Sequence, residues 1–160
     1  MKVSMRQVKS FIFGTSIAFF LWIVMPAILI SWNQQLDLPV YGNFVSRTIG
    51  IICGGIGLIS TLLIVNEHFK TGRVTPVAVE KPLKFIVKGV YCYSRNPMYI
   101  TIILTFFGGW LFFGHFLLLV YVLLAFPVLH VFIIYKEEPE LKKIFGKEYL
   151  DYLKRVPRWL

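Results

Sequence analysis

From Met98 to Tyr135 the chain runs for 38 residues without one Asp, Glu, Lys or Arg. As a single α-helix, at about 1.5 Å per residue, the run would be roughly 57 Å long, nearly twice the ~30 Å hydrocarbon core of a bilayer. It is therefore expected to cross twice. The break near its middle is Gly114-His115, which predicts a tight helical hairpin with arms at about 98–113 and 116–135. Pro127 has no N–H to donate and is expected to kink the second arm.

Two earlier runs have the same character. Phe11–Ser31 is 21 residues without a charge. It is too long for a signal-peptide core and has no small-residue cleavage site after it, so it is read as a retained span, kinked at Pro26. A second span is expected over 47–65, with Gly50, Gly54 and Gly57 near one helical face, a spacing that lets helices pack closely. With 57% hydrophobic residues and a mean hydropathy of +0.70, the chain carries more apolar surface than a soluble domain of 160 residues can bury. The expected architecture is all-α: one membrane domain, 1–160, with four transmembrane helices. Met1–Ser10 reads as an amphipathic lead-in. Trp32–Ser46 is a polar loop with Trp32 and Tyr41 as interface anchors, 66–97 a cytosolic loop, and 138–154 a cytosolic C-terminal helix.

The charges assign sides to this plan. Of 17 Lys and Arg, three precede the first span, six lie in Asn66–Asn96 and seven in the tail, leaving Arg47 alone opposite. That asymmetry places both termini and the long loop in the cytosol. The net charge of +9 flanks apolar spans, so it points to anionic headgroups and away from nucleic acid. Cys53 and Cys92, one in a span and one in a cytosolic loop, are not expected to pair. His68, His115 and His130 are not at metal-ligand spacing. His130 is read as a buried hydrogen-bonding group between helices, and His115 as a loop residue at the far interface.

Two polar segments border the apolar run. Gly89-Val-Tyr-Cys-Tyr-Ser-Arg-Asn-Pro-Met-Tyr99 enters it, and Lys136-Glu137-Glu138-Pro139-Glu140 leaves it, on the same side of the membrane. Each has an ordinary explanation. Tyr and Arg gather at headgroup level, and acids with a proline begin a helix well. Phe85, Ile86, Val87, Val90 and Tyr91 are too apolar for a disordered linker, so that part of the loop is expected to pack at the membrane surface.

Taken together, the pieces resemble the membrane methyltransferases of the isoprenylcysteine carboxyl methyltransferase and phospholipid methyltransferase group. The resemblance rests on Gly89–Tyr99, Glu137-Glu138, Phe145-Gly-Lys-Glu-Tyr149, Tyr152 and Val156-Pro-Arg158. Gly72-Arg-Val-Thr-Pro76 and Phe85-Ile-Val-Lys-Gly89 add to it, so that it covers about residues 70–160. It implies S-adenosylmethionine as methyl donor, held at the cytosolic side by Val87, Gly89, Tyr91, Arg95, Asn96, Tyr99, Glu137 and Glu138. It also implies a lipid-like acceptor, an amine, carboxylate or thiol, arriving from the bilayer. Arg95 and Glu138 are expected to act in catalysis. Arg95 can pair with a carboxylate, and either Glu can hold an ammonium group or a ribose hydroxyl. Tyr91 and Tyr99 offer ring faces and hydroxyls, Gly89 permits close backbone approach, and Asn96 offers donors and an acceptor. Methyl transfer is an in-line displacement that needs no metal, so positioning and exclusion of water are the main tasks. An amine acceptor would also lose a proton, for which Glu138 is the candidate base.

Many relatives carry Arg at the position of Cys92 and Gly near Ile100-Thr101. Asn96 stands where prenylcysteine enzymes usually carry His, which turns the expectation toward a lipid amine or another apolar acceptor. A donor-binding or structural membrane protein of the same fold stays open, as does, more distantly, a nicotinamide-dependent membrane reductase. Monomer and homodimer are both compatible with the glycine face of the second span.

Overall fold

A computed structural model describes residues 5–70 and 87–160, with side chains for 12–67 and 87–160. Among these the only regular secondary structure is helix, apart from one isolated bridge pairing Val40 with His115. The first helical run is α1, Met5–Phe19, a π turn over Phe20–Val24, and α2, Met25–Gln35. Pro26 has no N–H for the carbonyl four residues back. The helix widens just before it, and Met25 N–H reaches back to Phe20 O. The expected kink is thus a π turn.

The remaining helices are α3 (Phe44–Lys70), α4 (Pro97–Phe113), α5 (Phe116–Phe132) and α6 (Glu138–Arg155), with a second π turn, Ile133–Glu137, joining the last two. Among the described residues, three helical runs are long and apolar enough to cross a membrane: Ile12–Gln35, Phe44–Glu67 and Phe116–Arg155, and Pro97–Phe113 is a shorter apolar helix. Large apolar side chains such as Ile51, Ile52, Leu62, Leu123 and Val128 face outward. Apolar faces this extensive belong against lipid, and the architecture is that of an integral membrane protein.

The most extensive helix pairing is α3 on α4, and glycine makes it possible. A Cβ on Gly108 would lie 2.3 Å from Gly54 N, and one on Gly50 would lie 2.7 Å from Gly108 O. The backbones meet where these side chains are missing, and Thr61 and Thr101 share a 2.7 Å hydroxyl hydrogen bond further along. The glycine face of α3 therefore serves this internal contact.

At the other end, the α4–α5 connection is locked by the loop that precedes α3. Gly114 adopts φ +75°, and a Cβ there would fall 2.6 Å from Gly42 N. Its carbonyl accepts Tyr41 N–H at 2.8 Å, and Phe116 N–H reaches Pro39 O at 3.2 Å. Asn33 organises this corner. It is fully buried, its amide donates to Leu38 O (2.9 Å), and its carbonyl oxygen accepts Leu117 N–H (3.0 Å). It falls in the stretch expected to be a polar loop, and is instead part of α2. His115 lies in the α4–α5 connection and is buried there.

Candidate functional site

The site is built where α4 begins, where α5 passes into α6, and where the chain ends. Its frame depends on a bend. As a straight helix of 18 residues, α6 would carry Arg155 about 26 Å from Glu138. Instead Gly146 has φ 51° and ψ −123°, far from helical values, and the second half of α6 turns back. Tyr149, Tyr152 and Val156 then form a small core, with Val87, Leu141, Phe145 and Leu153 packed against it.

The segment before α4 is pinned to this returning tail. Gly89, at φ +59°, opens a single 3-10 turn over Gly89–Cys92. Tyr152 Oη donates to Tyr91 O at 2.7 Å. Arg95 N–H donates to Pro157 O at 3.0 Å, and Asn96 Nδ2 donates to Arg158 O at 2.9 Å. Buried Ser94 gives its hydroxyl to Arg158 O (3.4 Å) and accepts Asn96 N–H (3.1 Å). One residue further, Trp159 Nε1 donates to His130 Nδ1 at 3.1 Å, and its ring lies against Phe126, 5.0 Å between centroids. The partner of His130 is therefore the end of the chain and not another membrane helix.

This frame brings two cations onto one carboxylate. Arg95 Nη1 lies 2.9 Å from Glu138 Oε1. Arg158 Nε lies 2.8 Å from the same oxygen, and Arg158 Nη2 donates to Oε2 at 3.2 Å. The Arg95 and Glu138 side chains are only 12% and 7% exposed, so little water screens them. Burial by itself would raise the pKa of Glu138. The hydrogen bond from Arg158 and the charges of Arg95, Arg158 and Lys142 outweigh it, and the net shift is downward from the ordinary carboxylate range. Tyr149 stands beside this cluster. Its burial, with the neighbouring Glu138 charge next in weight, pushes its hydroxyl pKa up. Next along the helix, Glu137 Oε2 accepts the Tyr99 hydroxyl at 3.0 Å. Arg95 Nε is buried and has no hydrogen-bond partner among the described residues.

Of the residues singled out in the sequence, Arg95, Tyr99, Glu137 and Glu138 converge, and Tyr91 is held in the same frame by the Tyr152 hydroxyl on its carbonyl. Val87 and Asn96 hold the loop to the tail, through packing and through the Arg158 carbonyl. Gly89 is exposed, and a Cβ there would meet no atom within 4 Å, so the backbone's positive φ, not close approach by the protein, calls for glycine. Val90 is exposed, while Gly72–Pro76 and Phe85-Ile86 lie outside the described residues. Arg158 was not among the sequence's candidates. Its one signal was membership of the Val156-Pro-Arg158 fragment, because 63 positions separate it from Arg95.

A model of the phospholipid methyltransferase family matches residues 45–148. The match takes in α3, which lies ahead of the 70–160 stretch that carries the resemblance, and it stops before Tyr149, Tyr152 and Arg158. No curated protein and no solved structure matches the chain.

Proposed function

Because the chain belongs to the phospholipid methyltransferase family, we propose that it transfers a methyl group from S-adenosylmethionine to a lipid-like acceptor, at the cytosolic ends of α4 and α5. In this reading α4 is a fourth crossing, closed into a hairpin with α5 at Gly114. Its 17 residues span about 25 Å, somewhat short of a ~30 Å core. Both termini and the site face the cytosol, in keeping with the 16 of 17 basic residues that flank that side.

The observation that carries the reading is the Arg95–Glu138–Arg158 cluster around the buried Glu138 carboxylate, with the Tyr99–Glu137 pair beside it. Its chemistry fits the proposed donor. Two guanidinium groups share one carboxylate, which leaves positive charge for a second anion, and Arg95 Nε is a buried donor awaiting an acceptor. Arg95 would meet the donor's carboxylate, and Glu137 and Tyr99 its ribose hydroxyls. When bound, S-adenosylmethionine supplies a methyl group activated by a sulfonium cation. The protein's own work is to orient, to exclude water and to set charge.

Glu138 takes a different part from the one expected of it. Both its oxygens are engaged by cations, and its proton affinity is lowered, so it is a poor acceptor for the proton of an amine. It positions Arg95 instead. Proton removal from an amine acceptor then falls to Glu137, one residue earlier and linked to the neutral Tyr99 hydroxyl.

Calorimetry with S-adenosylmethionine on detergent-purified protein tests the proposal. Wild type should bind saturably, while Arg95→Ala and Glu138→Gln should each bind at least about tenfold more weakly, the scale of losing one charge-assisted hydrogen bond. Absence of binding by folded, monodisperse wild type would sink the methyltransferase reading. A labelled-methyl screen of lipid extracts then identifies the acceptor.

A further inference from the structure

The first helical run does not close fully on α4 and α5. Between them lies a partly enclosed cavity of about 150 Å³, walled by Trp22, Pro26, Phe106, Gly109, Trp110 and Tyr121, and almost wholly apolar. Gly109 shows that the space is real. A Cβ there would meet nothing within 4 Å, whereas the same atom on the adjacent Gly108 would strike the α3 backbone. The walls are held in place. Trp22 sits in the π turn, edge-on to Phe106 with centroids 6.3 Å apart, and Tyr121 Oη donates to Leu21 O at 3.2 Å.

Depth decides what can fill the cavity. Along α4 from Pro97, Phe106 is about 13 Å in and Trp110 about 20 Å, so the cavity begins near the middle of a ~30 Å hydrocarbon core. An apolar void of ~150 Å³ stays dry and takes a benzene-sized apolar body. At this depth hydrocarbon is the available filler. Bilayer chains are as apolar as the wall, so occupancy is decided by fit and not by transfer from water. An empty void forfeits dispersion contacts that a chain end restores.

We infer that this cavity seats the distal end of the acceptor's hydrocarbon chain while the reacting head lies at the Arg95–Glu138 cluster; the inference rests on the methyltransferase reading above. Helix α4 links the two places, from Tyr99 at the cluster to Gly109 at the cavity, ten residues and about 15 Å apart. A flexible chain lying along α4 reaches the cavity with its last few carbons.

Gly109→Leu fills the cavity from its own wall, and Leu is the better helix former. The probes are dipalmitoyl- and dioctanoylphosphatidylethanolamine as methyl acceptors, and a palmitoyl phospholipid with a diazirine at its chain end. In wild type the photolabel should mark Trp22, Phe106 and Tyr121. In the variant that labelling, and the apparent affinity for the dipalmitoyl lipid, should fall about tenfold, the scale of overpacking a fitted site. The KM for the dioctanoyl lipid should shift less than twofold.

Label spread over the outer face of α3 and unchanged by Gly109→Leu would overturn the inference, with or without turnover. Donor calorimetry on the same samples separates the two readings. Label on the cavity wall without any donor binding would overturn the acceptor assignment and leave a structural lipid site. Donor binding with an unaltered chain-length preference in Gly109→Leu would overturn the tail seat and spare the methyltransferase.

Discussion

Replacing Gly146 with alanine should release the C-terminal tail without touching any other contact. Gly146 holds φ 51° and ψ −123°, the mirror image of the ordinary (−60°, +120°) turn conformation and one that glycine dominates. A Cβ there would meet no atom within 4 Å, so the change adds no clash, and its cost is the backbone's alone. For a residue held in so sparsely populated a region that cost is about 1–3 kcal/mol. At 1.4 kcal/mol per tenfold, the ratio of docked to undocked tail should fall roughly 5- to 150-fold. Hydrogen exchange reads this directly. The Arg95 amide, bonded to Pro157 O, should lose protection by that factor, while amides along the Gly54–Gly108 contact of α3 and α4 keep theirs. Donor affinity should fall with it, because Arg158 and Glu138 meet only when the tail returns. Undiminished protection at Arg95 in Gly146→Ala would refute the claim that the bend holds the site together. Equal loss of protection in the α3–α4 core would refute the claim that the cost is local.

Arg158→Lys keeps the charge but loses the two-pronged grip on Glu138, and should weaken donor binding by about 1–3 kcal/mol, measured by calorimetry. The pH dependence of tail docking follows from Glu138. Its folded pKa lies below the unfolded value of about 4.3, so its contribution is complete above that value and is lost as pH falls through the folded pKa. Protection of the Arg95 amide should therefore decline only below about pH 4, and Glu138→Gln, already weakened at neutral pH, should lack this step. Gly108→Ala should destabilise the protein by at least about 1–3 kcal/mol, because its Cβ would meet backbone that cannot yield. Gly55→Ala, with nothing within 4 Å, should be neutral or slightly stabilising, and thermal melts of the two variants beside wild type check both.

Membrane residence was legible along the chain because it depends on local quantities. Run length against bilayer thickness, apolar composition and the side on which Lys and Arg collect are read residue by residue. The turn at Gly114 belongs to the same class, since a lone glycine breaks an otherwise continuous apolar run. So does the expected closeness of the polar segments at Gly89–Tyr99 and Glu137-Glu138, which border the two ends of the same apolar run. What no local rule carries is the return of the chain's last residues. The bend at Gly146 depends on a positive φ, which an isolated glycine permits but does not require. Its consequences, Arg158 on Glu138, Asn96 on the Arg158 carbonyl and Trp159 on His130, join residues 20 to 62 positions apart. The role of Glu138 changes for the same reason. Read alone it is a carboxylate that can take a proton; between two guanidinium groups it is an anion held in place. The cavity behind Gly109 is the furthest from view. It exists because a π turn in the first helix and a glycine in α4 fail to fill the same space, and an unfilled volume leaves no mark on either segment until they are packed together.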